Sequence, residues 1–282
     1  MKKDNSASFK QSTLIPWIEL RVADRSTACY QAHSHDEFSF GLIQQGRAAY
    51  QNRGSTHQIG AGDIVTINPA DVHSCNPEAG TWSYSMLFVD TLKMGEFQKE
   101  VLGYDRKMPL ADYTPFLHDL ERSHEVAAKF QTLFGSLQSE SSPLQAQACL
   151  YDFIEASLGK ASAQSKREQQ HPHLNRVREK LLDGIDHVIQ LEELAEEVGL
   201  SRYQLLRAFK NQYGLPPHAY LMDEKIKRSK RMLKTGQDIS EVAYQLGFSD
   251  QAHFQRQFKK KLAVTPKFYQ SHFITPNTVI NK

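Results

Sequence analysis

Cysteine is scarce in this 282-residue chain: Cys29, Cys75 and Cys149 are three, odd in number and far apart. That excludes a disulfide framework and fits thiols kept reduced in a cytoplasm. Isolated cysteines of this kind usually pack as small hydrophobes. Long apolar runs are missing too. No stretch of about 18 apolar residues occurs, so no membrane span is expected. Met1 to Lys10 is charged and lacks an apolar segment, so no secretory signal is expected either. Net charge is small, +2 at pH 7, yet it is unevenly spread. From His171 to Lys282 there are 18 Lys plus Arg against 12 Asp plus Glu, while the remainder carries 16 against 20. The C-terminal part is therefore the side that attracts phosphate. With 40% hydrophobic residues and a mean hydropathy of −0.54, the chain reads as a soluble globular protein. Its length suggests two domains.

What the chain does contain is one pattern used twice. The first copy runs Leu191-Glu192-Glu193-Leu194-Ala195, Val198-Gly199-Leu200-Ser201, Leu205-Leu206-Arg207-Ala208-Phe209-Lys210, Pro217 and Tyr220. The second runs Ile239-Ser240-Glu241-Val242-Ala243, Leu246-Gly247-Phe248-Ser249, Phe254-Gln255-Arg256-Gln257-Phe258-Lys259, Pro266 and Tyr269. The copies are offset by 48 residues before the turn and 49 after it. Self-similarity at a fixed period marks one supersecondary unit used twice. Ala195 and Ala243 allow a second helix to approach closely, and Gly199 and Gly247 supply the left-handed backbone of a sharp turn. Ser201 and Ser249 stand where an N-cap is wanted. Helix, tight turn and second helix with basic exposed positions describe a helix-turn-helix, whose second helix enters the DNA major groove.

Between the copies, His218 to Lys234 predicts a connecting helix. Met222, Ile226, Ser229 and Leu233 form one narrow stripe among Lys225, Lys227, Arg228, Lys230 and Arg231. Seventeen residues at about 1.5 Å each span roughly 25 Å. With the hairpins' own widths added, that holds two reading heads about one DNA turn, roughly 34 Å, apart.

These residues resemble the AraC/XylS family of bacterial transcription regulators, over about Leu174 to Tyr269. The resemblance rests on the tandem motif, the linker helix and the Gly-Phe-Ser…Phe-x-Arg-x-Phe-Lys…Thr-Pro-x-x-Tyr run from Gly247 to Tyr269. It implies base contacts at Tyr203, Gln204 and Arg207, and at Gln251, His253 and Arg256. Arg202, Lys210, Lys259 and Lys260 are expected on phosphates. One departure is Ala263, where the family usually has Gly; the first copy keeps Gly214.

Residues 1–16 read as an N-terminal arm. Over residues 17–90, short alternating runs are punctuated by Gly, Asn, Pro and Asp turns, which indicates a small barrel or sandwich. The expected strands are Ile18–Val22, Phe38–Ile43, Arg47–Gln51, His57–Ile59, Ile64–Ile67 and Ser83–Val89. His33-Ser34-His35 leading into a strand, and the run from Gly60 to His73, resemble the two cupin boxes, implying a cupin-like barrel. His33, His35 and His73 are then weak candidates for an open metal site. The usual acidic ligand of the first box should fall near Ser39 or Phe40, neither of which is acidic, and Glu37 comes too early. No metal and no cofactor is therefore expected. The effector pocket is expected among Trp17, Arg21, His33, His35, Glu37, Phe38, His73, Trp82 and Tyr84.

Residues 91–158 change to a helical period, with a helix start expected at Tyr113-Thr114-Pro115. Val126, Phe130, Leu133, Phe134 and Leu137 form one apolar face; Leu144, Ala148, Tyr151, Ile154 and Leu158 form another. The family resemblance implies homodimerisation through 143–158. Residues 159–172 have a linker's composition, 173–272 hold the tandem helix-turn-helix, and 273–282 form a tail. The expected fold is α+β in two domains: a cupin-like β-barrel with a helical extension, then an all-α DNA-binding domain. The expected function is a cytoplasmic, sequence-specific regulator and not an enzyme. Its partners are double-stranded DNA, a small-molecule effector and RNA polymerase. A metal-dependent cupin enzyme fused to a DNA-binding domain is the alternative.

Overall fold

The structure is a computed structural model that describes residues 6–78, 80–102, 113–139, 142–158, 172–187 and 189–274, the side chains of 100–102, 172 and 203 excepted. The expected linker lies almost wholly outside the described residues, as does most of the tail. The chain divides into two compact units. One comprises Lys2–Cys29 and His35–Ser165; the other comprises Lys166–Lys282 with the short segment Tyr30–Ser34.

The first unit holds two sheets. The strands are β1 (Ala7–Gln11), β2 (Ile18–Ser26), β3 (Phe38–Gln45), β4 (Arg47–Asn52), β5 (Ser55–Gly60), β6 (Ile64–Ile67), β7 (His73–Pro77), β8 (Trp82–Val89) and β9 (Leu120–Glu121). The larger sheet has the order β1-β2-β8-β3-β6-β9 and the smaller β5-β4-β7. Period-two alternation decides what each face carries. Leu20 and Phe40 both lie opposite Leu87, and Ile18 and Phe38 both lie opposite Val89. These residues share one core with Phe130, Leu133, Leu150 and Phe153 of helices α2 (His124–Ser139) and α3 (Pro143–Leu158). The alternate residues Glu19, Arg21, Ser39, Gly41, Tyr84, Met86 and Phe88 face the other way. Tyr50 crosses from the smaller sheet to donate its hydroxyl to Thr66 O at 3.2 Å.

Several local expectations are corrected. Tyr113–Pro115 starts no helix. Gln98, on α1 (Thr91–Leu102), brackets Thr114 with two side-chain hydrogen bonds, and Asn68 does the same for Phe116. Those amides hold the backbone extended. His33-Ser34-His35 does not run into a strand, since β3 opens only at Phe38. Part of the stretch expected to be an arm forms β1, paired along its length with β2. β7 escaped the sequence reading because its residues, His73-Ser74-Cys75-Asn76-Pro77, carry no alternating apolar signal.

The second unit is helical: α4 (Pro172–Asp183), α5 (Leu191–Glu197), α6 (Arg202–Tyr213), α7 (Pro217–Lys234), α8 (Ile239–Gln245), α9 (Gln251–Leu262) and α10 (Pro266–Gln270). Leu174, Val177 and Leu181 of α4 close the first hairpin's core against Leu194, Ala195, Leu205 and Phe209. The second hairpin is built on aromatics, with Phe254 packed on Phe248 and Phe258, and Phe258 on Tyr269. The connector α7 buries Met222, Ile226, Ser229 and Leu233, as its stripe requires, but also Asp223, Lys225, Lys227 and Lys230. Asp223 accepts from the Ser34 N–H and hydroxyl at 3.0 and 2.8 Å, with the Lys261 ammonium 3.5 Å away. A buried carboxylate needs such partners. Burial pushes the Lys261 ammonium below the usual lysine range, opposed by Asp223.

Candidate nucleic-acid interface and effector chamber

The two turns are hydrogen-bonded alike. The Gly199 N–H donates to Glu196 O and Leu200 N–H to Ala195 O; Gly247 N–H donates to Tyr244 O and Phe248 N–H to Ala243 O. Both glycines have positive φ, +65° and +62°. Gly247 is constrained twice over, because a Cβ there would stand 2.2 Å from Asp186 O. Lys225 fastens the connector to this second turn: its ammonium donates to Gly247 O at 3.1 Å and lies 5.3 Å from the Phe248 ring centre. Burial lowers its pKa. A cleft of about 770 Å3 opens beside it, reaching Asp186, His218, Tyr244 and His253.

The second helices start differently. Ser201 and Gln204 form a capping box, the Ser201 hydroxyl accepting from Gln204 N–H and the Gln204 carbonyl from Ser201 N–H. In the second copy the cap falls one residue later than expected, on Asp250 and not Ser249. Its carboxylate accepts from His253 N–H, which holds its pKa below the usual range. This is the extra residue of the 49 offset. The helices also end alike, with Gly214 at φ +76° and Ala263 at φ +63°, each donating its N–H four residues back.

Arg207, Lys210, Gln251, Arg256 and Lys260 are exposed, and Lys259 is half-buried. Arg202 is exposed and ion-paired to Glu192. The side chain of Tyr203 lies outside the described set. Gln204 and His253 are engaged within their own hairpins: Gln204 in its cap, His253 through Ser249 at 3.2 Å and Gln257 at 3.3 Å.

The expected pocket residues of the first unit divide between the two faces of the larger sheet. Trp17 and Phe38 belong to the core beneath the helices and so lie outside the barrel interior; Trp17 packs on Phe97 and Phe38 on Phe116. Arg21, Trp82 and Tyr84 lie on the inner side, with Arg21 5.1 Å from the Phe9 ring centre and 5.6 Å from that of Tyr84. Trp82 stacks on Tyr84 at 4.4 Å. His35 and His73 come together with ring centres 4.7 Å apart, and His35 stands edge-on to Phe88 at 5.2 Å. His73 Nδ1 is 3.1 Å from Asp71 O. His33 falls in the Tyr30–Ser34 segment of the second unit, its Nδ1 2.7 Å from Gln31 O. Glu37 is half-buried. Sequence reasoning missed Glu19, Ser39 and Asn52, which are polar yet buried on inward-facing positions. Only their strand register betrays them.

A two-sheet domain followed in the same chain by a tandem helix-turn-helix defines a DNA-binding transcription regulator with a ligand-binding domain. Family models agree in both halves: an AraC-like ligand-binding domain matches residues 18–154 and a helix-turn-helix domain residues 194–272. The chain belongs to the AraC/XylS family. It is 29% identical to the HTH-type transcriptional regulator YbfI of Bacillus subtilis, over 78% of this chain and 80% of that protein. It is 21% identical to the transcriptional activator RhaS of Klebsiella pneumoniae, over 92% and 93%. Among solved structures, ToxT of Vibrio cholerae shares the fold with a TM-score of 0.56 at 15% identity, over 95% of this chain and 98% of that one. ToxT bound to an unsaturated fatty acid aligns over the full length of both chains at a TM-score of 0.55 and 14% identity. Among the described residues, no helix is long and apolar enough to cross a membrane.

Proposed function

We propose that α6 and α9 enter successive major grooves of an operator, and that a small molecule bound in the barrel alters this engagement. The observation that carries the reading is the duplicated hairpin, in which identical turn hydrogen bonds each precede an N-capped helix bearing an exposed arginine. Arg207 and Arg256 bond guanine edges, each contributing about 1–3 kcal/mol of discrimination. Tyr203, Gln204, Gln251 and His253 complete the base-reading set, with Gln204 and His253 first exchanging their present partners for base edges. Arg202, Lys210, Lys259 and Lys260 meet phosphates, Arg202 by giving up Glu192.

The barrel binds and does not turn over its ligand. The likeness to ToxT, solved with an unsaturated fatty acid, supports small-molecule binding over metal chemistry. A second copy docks on the outer side of α3, where Leu144 is 76% exposed while Ala146, Leu150 and Phe153 serve the core. The complex acts in the cytoplasm and meets RNA polymerase at the promoter.

Selection from a random duplex library, followed by titration at several salt concentrations, tests this. Arg207→Ala flattens the preference among selected sequences. Lys259→Ala weakens all of them and reduces the salt slope by about one. Equal loss on selected and random DNA for Arg207→Ala refutes its role as a base reader.

A further inference from the structure

The helical unit carries a cleft that the reading of DNA does not account for. Its volume of about 770 Å3 falls within the range of small-molecule sites. Three elements of that unit wall it. The α4–α5 loop supplies Asp186 and His187, the connector α7 supplies Met222 and Lys225, and the second hairpin supplies Tyr244 and Phe248. Met222, Lys225 and Phe248 are buried and form the floor, whereas Asp186, His187 and Tyr244 are exposed and form the rim.

The ammonium at this floor is short of acceptors. Lysine offers three donors and accepts nothing. Gly247 O takes one of those of Lys225 at 3.1 Å, and the Phe248 ring centre lies 5.3 Å away. Among the described residues Lys225 makes no ion pair. Asp186, the one carboxylate lining the cleft, is instead 2.6 Å from His187 Nδ1. Two other buried lysines of the unit are matched, Lys227 with Glu224 at 2.7 Å and Lys261 with Asp223 at 3.5 Å. Buried charge is normally paired in this way. Lys225 is 6% exposed, and burial holds its pKa below the usual lysine range. The missing counter-charge has to enter by the cleft.

Around that ammonium the walls are apolar and aromatic. Ile189 and Leu221 line the cleft beside Met222. His253 stands edge-on to the Phe248 ring at 5.5 Å. Tyr244, 80% exposed, adds an aromatic plane at the mouth. Such walls gain nothing from a hydrated inorganic anion. A phosphate fixed in a duplex stays at the rim.

We propose that this cleft is a small-molecule site in its own right, taking an aromatic carboxylate whose charged end pairs with Lys225 while its ring packs on Phe248 and Tyr244. The site belongs to the DNA-binding unit alone and stands whether or not the barrel holds an effector.

Calorimetry and thermal shift on the full chain test it with three probe sets: benzoate, phenylacetate and indole-3-acetate; the primary amides of the same acids; and inorganic phosphate. At least one acid is expected to bind saturably and raise Tm, with its amide and phosphate each about tenfold weaker or more. Lys225→Met keeps the apolar stem, removes the charge and weakens that acid about tenfold or more. Tyr244→Glu places a negative charge at the mouth, on a side chain too exposed to decide folding, and weakens the acid about threefold or more. It carries the test alone if Lys225→Met does not fold. The proposal is overturned if no acid binds saturably, or if an amide or phosphate binds as tightly as the acid. It is overturned equally if the acid binds unchanged to either folded variant, which moves the ligand elsewhere in the chain.

Discussion

Ala263 has φ +63° at the end of α9, where its counterpart Gly214 has φ +76°. An L residue there is strained by up to about 1 kcal/mol. Ala263→Gly is therefore expected to leave stability unchanged or raise it by up to about 1 kcal/mol, measured by urea denaturation. The two turn glycines separate conformation from contact. A methyl at Gly199 meets nothing within 4 Å, so Gly199→Ala costs about 1 kcal/mol for its φ alone. At Gly247 the same methyl drives into Asp186 O, and Gly247→Ala costs more than about 2 kcal/mol. It also abolishes duplex binding, measured by gel shift. Equal effects from the two substitutions refute the close approach.

The recognition helices are capped by different chemistry. Ser201 does not titrate in the accessible range, so Ser201→Ala lowers stability by about 1 kcal/mol at every pH from 3 to 7. Asp250 and Asp238 are held below the usual carboxylate range, chiefly by the backbone N–H of His253 and the Ser240 hydroxyl respectively. Folded pKa values below unfolded ones give stabilisation that is complete above about pH 4 and lost as pH falls through the folded values. Asp250→Asn, which still caps, is expected to keep neutral stability while flattening the acid limb of a stability–pH profile. These caps, turns and small contacts act through nearest neighbours, which is why α5, α6, α8 and α9 are legible from the amino acids. β7 and the extended stretch at Thr114 are not, because partner strands and the amides of Gln98 and Asn68 decide them. The burial of Lys225 also defied the pattern, since its stem covers Phe248 while its ammonium finds Gly247 O. Ser39 and Asn52 look like ordinary solvated strand residues until register turns them inward.

Charge divides along the same line as structure: the basic excess of His171 to Lys282 falls on the unit that carries the paired hairpins. On the proposed reading, ligand and DNA engage chemically distinct bodies, and a ligand can act only by unequal affinity for two arrangements of the chain. The turn of the second hairpin abuts the loop between α4 and α5, where Gly247 meets Asp186, and is tied to the connector by Lys225. On the proposed docking of α6 and α9, a seat this close fixes the spacing and phase at which the two half-sites can be read. One base pair inserted between the half-sites turns the distal one by about 35° and moves it by about 3.4 Å. Rotation at a joint closed to within a methyl group does not follow either change, so on that docking occupancy of the distal half-site is lost, and inserting a whole helical turn, which restores the phase but adds about 34 Å, does not recover it.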